Sequence, residues 1–295
     1  MEPLILPLPT SRLMPQAEPM RLVEELNFCE DGNSRGWCVI DESNLFLNHQ
    51  GVLDAAACVE ILAQVCASMK GYESLVQGKP IRYGYLVGVK DFVFHAKPAA
   101  GDRLDLHVHR DFMMDAAVMA TGRIMQGDAR LVEGVLKIFE TDALPPHPMH
   151  PALEEDSDAA DCTCLNPPKR SPVQQSLIDE ITSFDFDAST SRGHCRYRIN
   201  DAFVGFQGHF PDYPLQPGVC TLQMGLLAAG LACGCPLEFK HVEQAKFSKP
   251  VYPNEEIDVE VRMKGEADDG SIQASARITR GPEAVARYSF CAEKT

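Results

Sequence analysis

The stretch Phe206-Gln-Gly-His-Phe-Pro-Asp-Tyr-Pro-Leu-Gln-Pro-Gly-Val-Cys-Thr-Leu-Gln-Met224 decides how the rest of the chain is read. Pro211, Pro214 and Pro217 each fix φ and lack a backbone N–H, so the segment makes a stiff loop and not a strand. From Gly218 to Ala232 the chain is apolar and helix-competent, with Pro217 just ahead. A helix beginning there aims the amides of Gly218, Val219 and Cys220 back at the loop that carries His209. Such a helix end suits a developing negative oxygen. A base on a rigid loop facing an oxyanion-binding helix end is a plan for chemistry beside a carbonyl. A structural histidine in a proline-rich turn is the bland alternative, and it explains less of the pattern.

Around this stretch the second half reads as strand Gly193–Ile199, the His209 loop, the helix, then strands over 238–247, 256–263, 272–280 and 284–291. The first half has the same order. Trp37–Ile40 is strand-like, and Val52–Met69 is one helix, apolar on nearly every face and so wrapped by other structure, with Gly71 as its stop. Strands are expected at 83–89, 91–96, 104–110, 117–125 and 131–140. Short fragments match in order between the halves: Arg35-Gly-Trp-Cys38 with Arg192-Gly-His-Cys195, Lys97-Pro98 with Lys249-Pro250, and Leu104-Asp-Leu-His-Val108 with Ile257-Asp-Val-Glu-Val261. Two copies of one unit follow from that common order. Each is α+β, an antiparallel sheet curled around a central helix.

The expected divisions are a Pro-rich arm without its own structure (1–20), a first unit (21–141), a linker (142–172) and a second unit (173–295). The linker reading rests on seven prolines and the acidic run Glu154, Glu155, Asp156, Asp158 and Asp161.

Composition excludes several function classes. The 295 residues are 45% hydrophobic, enough for a sizeable core, and the net charge of −15 argues against nucleic acid or an anionic membrane as partner. An acidic partner would need a local basic patch, for which Lys246, Lys249, Arg262 and Lys264 are candidates; a solvated face is the alternative for each. The eleven cysteines lie largely among apolar neighbours, and neither Cys-x-Cys pair has a nearby His, so no zinc site is read. The N-terminus lacks a basic start and no apolar run reaches membrane-spanning length, so a cytoplasmic location is expected.

The Gly208-His-Phe-Pro211 and Pro217-Gly-Val219 segments resemble those of hot-dog-fold 3-hydroxyacyl-(acyl carrier protein) dehydratases. In that family the His is the base, and an acid follows on the helix five residues after the Gly. Here that position is Gln223, which cannot act as a general acid. The first-half helix carries Glu60-Ile-Leu-Ala-Gln64, similar to the Glu-x-x-Ala-Gln of the family helix. Asn44-Leu-Phe-Leu47 and Gly84-Tyr-Leu-Val-Gly88 further resemble the dehydratase-like partner protein of aryl-polyene gene clusters, and the second half resembles the other dehydratase-like protein of those clusters.

The resemblance implies a double hot-dog, a pseudo-dimer within one chain, acting on a 3-hydroxyacyl thioester on an acyl carrier protein, without cofactor or metal. It also implies composite sites, with His from one unit and acid from the other. His209 facing Glu60 would then make one working site, and the other would be dead. His209 supplies the base, and Gly218 and Val219 the oxyanion donors. Phe210 and Pro211 position substrate, and Gln64 orients Glu60 or a water. Glu60 gives the proton, provided its surroundings keep it protonated. His49 lacks the flanking Gly, Phe and Pro-Gly and is read as a loop residue or remnant. His95, His107, His109 and His194 are read as surface residues of the sheet. Two rivals are kept: a hot-dog thioesterase using Glu60 to position water, and a non-catalytic acyl- or carrier-binding protein. Further homo-oligomerisation is left open.

Overall fold

A computed structural model describes residues 4–144, 160, 162–165 and 170–295. Strands β1 (Leu8–Pro9), β2 (Glu25–Glu30) and β3 (Asn33–Val39) precede helix α1 (Ala55–Val76). Strands β4 (Tyr83–Phe94), β5 (Arg103–Met114), β6 (Ala117–Gln126) and β7 (Ala129–Thr141) complete the first half. The second half runs α2 (Pro172–Asp179), β8 (Ile181–Asp187), β9 (Arg192–Ile199) and α3 (Gly218–Cys233). It ends with β10 (Leu237–Phe247), β11 (Glu255–Glu266), β12 (Ile272–Arg280) and β13 (Glu283–Lys294).

The thirteen strands of the described residues form one sheet, in the order β1-β2-β3-β5-β6-β7-β4-β10-β13-β12-β11-β9-β8. The order in one half mirrors that in the other, and the halves join where β4 pairs antiparallel with β10. The register there is self-complementary. At the offset relating Leu104 to Ile257, Val89 corresponds to Val242 and Phe92 to Ala245. The observed pairs are Val89 with Ala245 and Phe92 with Val242. Equivalent residues exchange partners, as a two-fold axis demands. Each half-sheet wraps its own helix and α1 packs on α3, which is the double hot-dog.

Both helices form because their apolar residues find cover on every side. Val59, Ile61, Leu62 and Val65 of α1, and Val219, Leu222, Met224 and Ala228 of α3, are fully buried. Burying a side chain of the Val or Leu class is worth about 1.5–3 kcal/mol, so this wrapping stabilises both helices well beyond intrinsic propensity. Polar ties complete the packing. The Tyr288 hydroxyl accepts from the Gly225 amide and donates to the Thr221 or Leu222 carbonyl (2.9 Å each), and Tyr197 donates to the Met224 carbonyl (2.8 Å).

Several sequence expectations need correction. The N-terminal arm has structure of its own: Leu8 pairs with Leu26, Thr10–Arg12 forms a 3-10 turn, and Leu13, Met14 and Met20 are buried. Its Leu and Met side chains supply apolar cover, and Pro9 is tolerated because β1 lies at the sheet edge. Gly71 does not stop α1, which runs on to Val76 with Gly78 (φ +68°) beyond it. Glycine is needed at 71 for a close approach, since a Cβ there would sit 1.7 Å from the Leu13 carbonyl oxygen. The strands expected at 83–89 and 91–96 are one strand, β4, with a bulge at Asp91 (φ +49°). Of the expected linker, residues 145–159, 161 and 166–169 lie outside the described residues. Its described end includes a 3-10 turn at Thr163–Leu165 and Ser171, which caps α2 by accepting from the Gln174 amide.

Candidate active site

The proline-rich loop and both central helices converge on a cavity of about 250 Å³ between the two halves. Glu60 lines it from α1, His209 and Phe210 from the loop, Gly218 and Thr221 from the start of α3, and Tyr85 from β4.

His209 is buried, and its Nδ1 lies 2.9 Å from the Leu215 carbonyl oxygen. A carbonyl only accepts, so Nδ1 carries the proton and Nε2 is left as the acceptor. Burial pushes the imidazole below its ordinary value, and the negative charge of Glu60 and the Leu215 carbonyl partly offset that. Phe210 packs beside it, ring centroids 4.4 Å apart, and meets the edges of Tyr83 and Tyr85.

Glu60 is also buried. Gln64, one turn on, donates to its Oε1 (3.0 Å). Gln64 is itself locked, donating to the Met20 carbonyl (2.7 Å) and accepting from the Leu22 amide (2.8 Å). Among the described residues none donates to Glu60 Oε2, which stays free for a group in the cavity.

At the start of α3 the Cys220 amide is already used, bonding the Pro217 carbonyl at 3.0 Å. It therefore drops out of the expected trio of donors. No acceptor among the described residues takes the Gly218 or Val219 amide. Gly218 lines the cavity, whereas the Val219 side chain is in the core. Pro211 does not line the cavity: the chain turns back at Tyr213, whose amide bonds the Phe210 carbonyl (3.0 Å), and Pro211 is left exposed. His49, His95, His107, His109 and His194 are all exposed.

The position across the pseudo-two-fold is filled differently. Gln223, sixth in α3 as Glu60 is sixth in α1, donates to Asp54 Oδ2 (3.1 Å). Ser171 donates to the same carboxyl oxygen. The first amide of α1, Ala55, is taken by Glu238 Oε1 at 3.1 Å. Burial, then the neighbouring Glu238 charge, raises Asp54 to about 8, and burial also raises Glu238. An Asp just ahead of a helix reads as an N-cap, yet Asp54 makes no cap bond. Nothing in the sequence pattern signalled its role, or that of Glu238.

The candidate basic patch is not one patch. Lys246 pairs across to Arg287 on β13, whereas Arg262 sits between Ser275 and Arg192, three strands away. Lys249 lines the cavity and pairs with Glu283 (3.2 Å). Among the described residues no group of three His, Cys, Asp or Glu side chains is placed to hold a metal ion, and no helix is long and apolar enough to cross a membrane.

Comparison with known proteins matches the two halves separately. Residues 8–147 match the family model of ApeP dehydratase, and residues 186–281 that of ApeI dehydratase. The 3-hydroxyacyl-[acyl-carrier-protein] dehydratase FabZ of Xanthomonas oryzae pv. oryzae is 34% identical over 149 residues, 44% of this chain and 94% of that protein. FabZ of Chlamydia pneumoniae is 30% identical over 128 residues, 39% of this chain and 80% of that protein. Among solved structures, the dehydratase domain of RzxB from Pseudomonas fluorescens superposes with a TM-score of 0.55 at 11% identity, covering 93% of this chain and 98% of that one. At that identity the likeness concerns the fold.

Proposed function

The chain belongs to the family of 3-hydroxyacyl-[acyl-carrier-protein] dehydratases, and from that premise we propose that it removes water at one composite site, His209 from the second half and Glu60 from the first. It is a hydro-lyase acting on a 3-hydroxyacyl thioester. The reading of the site is supported by one observation above all: His209 and Glu60, from different halves, line the same cavity.

His209 Nε2, unprotonated, removes the proton α to the thioester carbonyl. The Gly218 amide, with the α3 dipole behind it, receives the negative charge that gathers on the carbonyl oxygen. Protonated Glu60 delivers its proton through Oε2 to the 3-hydroxyl oxygen. The C–O bond then breaks, the C2=C3 double bond forms and water leaves. Passage of the proton from the imidazolium to the Glu60 carboxylate restores the starting state. Gln64 holds the other Glu60 oxygen still throughout.

A carrier protein is the partner this reading calls for, and the charge pattern supports one that is acidic. Lys246, Arg287 and Arg277 stand directly opposite one another on successive strands, so their side chains share a sheet face. Among the described residues none of the three has an ion-pair partner. The row adjoins Phe247, which lines the cavity.

The test uses 3-hydroxyhexanoyl N-acetylcysteamine, following conjugated enoyl absorbance and released thiol together. His209→Ala is expected to abolish enoyl formation, and Glu60→Gln to lower it by about 100-fold or more. Full activity in Glu60→Gln would sink the composite site. Thiol release without enoyl product would establish the thioesterase reading instead.

A further inference from the structure

The N-terminal arm reaches both halves of the site. The Ala17 amide donates to the Gly208 carbonyl (2.8 Å), next to His209. The Met20 carbonyl and Leu22 amide hold Gln64, which holds Glu60. The approach to the loop is close enough to demand glycine there. Gly208 has φ +75°, and a Cβ on it would come within 2.3 Å of the Ala17 carbonyl oxygen. Just ahead of these anchors lies Gln16. Its side chain is 7% exposed and lines the cavity, and its Oε1 is buried without a hydrogen-bond partner.

A buried amide oxygen left unpaired is costly, and a group that enters the cavity with a donor relieves it. The substrate carries such a donor. During elimination the 3-hydroxyl oxygen accepts from Glu60, and its own hydrogen is free to donate elsewhere. We propose that Gln16 is a substrate-binding residue of this site, its Oε1 accepting the 3-hydroxyl hydrogen and turning that oxygen's lone pair toward Glu60. The arm thereby presents a third group to the substrate while holding the base and the acid. This rests on the His209/Glu60 reading, and the experiment separates the two.

In turnover assays with 3-hydroxyhexanoyl N-acetylcysteamine, Gln16→Leu is expected to lose about 10- to 100-fold in kcat/KM, with the melting temperature little changed. Binding isolates the contact. In a His209→Ala background, which cannot turn over, Gln16→Leu should weaken the 3-hydroxyhexanoyl thioester about 10-fold and leave hexanoyl N-acetylcysteamine, which lacks the hydroxyl, unchanged. Equal weakening of both thioesters, or of neither, would overturn the proposal. If His209→Ala and Glu60→Gln lose activity while Gln16→Leu keeps it, only this inference fails. If those two stay active, the site reading fails with it. Gln16→Ala carries the same comparison should the leucine variant not fold.

Discussion

A histidine kept dry is easier to keep neutral, and that sets the pH behaviour of this site. Because burial lowers His209 below its ordinary 6.5, the unprotonated form persists to lower pH than for a histidine in water. The acid limb of the kcat/KM profile is therefore expected to have its midpoint below the ordinary histidine value. Once Glu60 has given up its proton, its charge works the other way, favouring the imidazolium. His209 was legible because Gly-His-Phe-Pro and Pro-Gly-Val are local patterns with a local mechanism. Glu60 stood out as a carboxylate inside an otherwise apolar helix. Gln16 could not be read, since a polar residue in a proline-rich arm has no periodicity that says where it points.

At the scale of elements, the arm and α1 make one unit, and Gly71 is the joint between them. In an exposed helix interior, Gly→Ala stabilises by up to about 1 kcal/mol. Here the added methyl would meet backbone, the Leu13 carbonyl, at 1.7 Å. Gly71→Ala is therefore expected to destabilise by about 1–3 kcal/mol in urea titration and to open the arm to proteolysis. An alanine variant as stable as the parent would mean that the arm does not bear on the helix in solution. The two central helices and most strands were expected from period and composition, because these reflect burial on one face or on all faces; the short helix α2 was not. Strand ends and the β4 bulge were not, since a bulge is set by the register of neighbouring strands. The glycine was misread for a related reason: a helix stop and a close contact call for the same residue.

Across the whole molecule, the pseudo-two-fold offers two places for a site, and one is occupied by the protein's own side chains. Asp54 belongs to the first half, Gln223 and Glu238 to the second, and Ser171 to the segment just before α2. With Asp54 raised from 3.8 to about 8, the folded state binds a proton that the unfolded chain releases above the ordinary Asp value. That contribution to stability is fully present at low pH and fades as pH rises toward about 8. Asp54→Asn should flatten the fall in stability between about pH 5 and about pH 8, as measured by denaturant titration at several pH values. An unchanged slope would place the titrating group elsewhere, with half-buried Glu238 next in line. Sequence alone determined that the chain holds two copies of one α+β unit, with Gly-His-Phe-Pro in one and a Glu-bearing apolar helix in the other. Those are patterns written in neighbouring residues. Only the tertiary structure decided which side chains share a cavity, how the arm binds both halves, and how the second position is filled. Such outcomes depend on contacts between residues as far apart as Asp54 and Gln223, 169 positions along the chain, which no local pattern encodes.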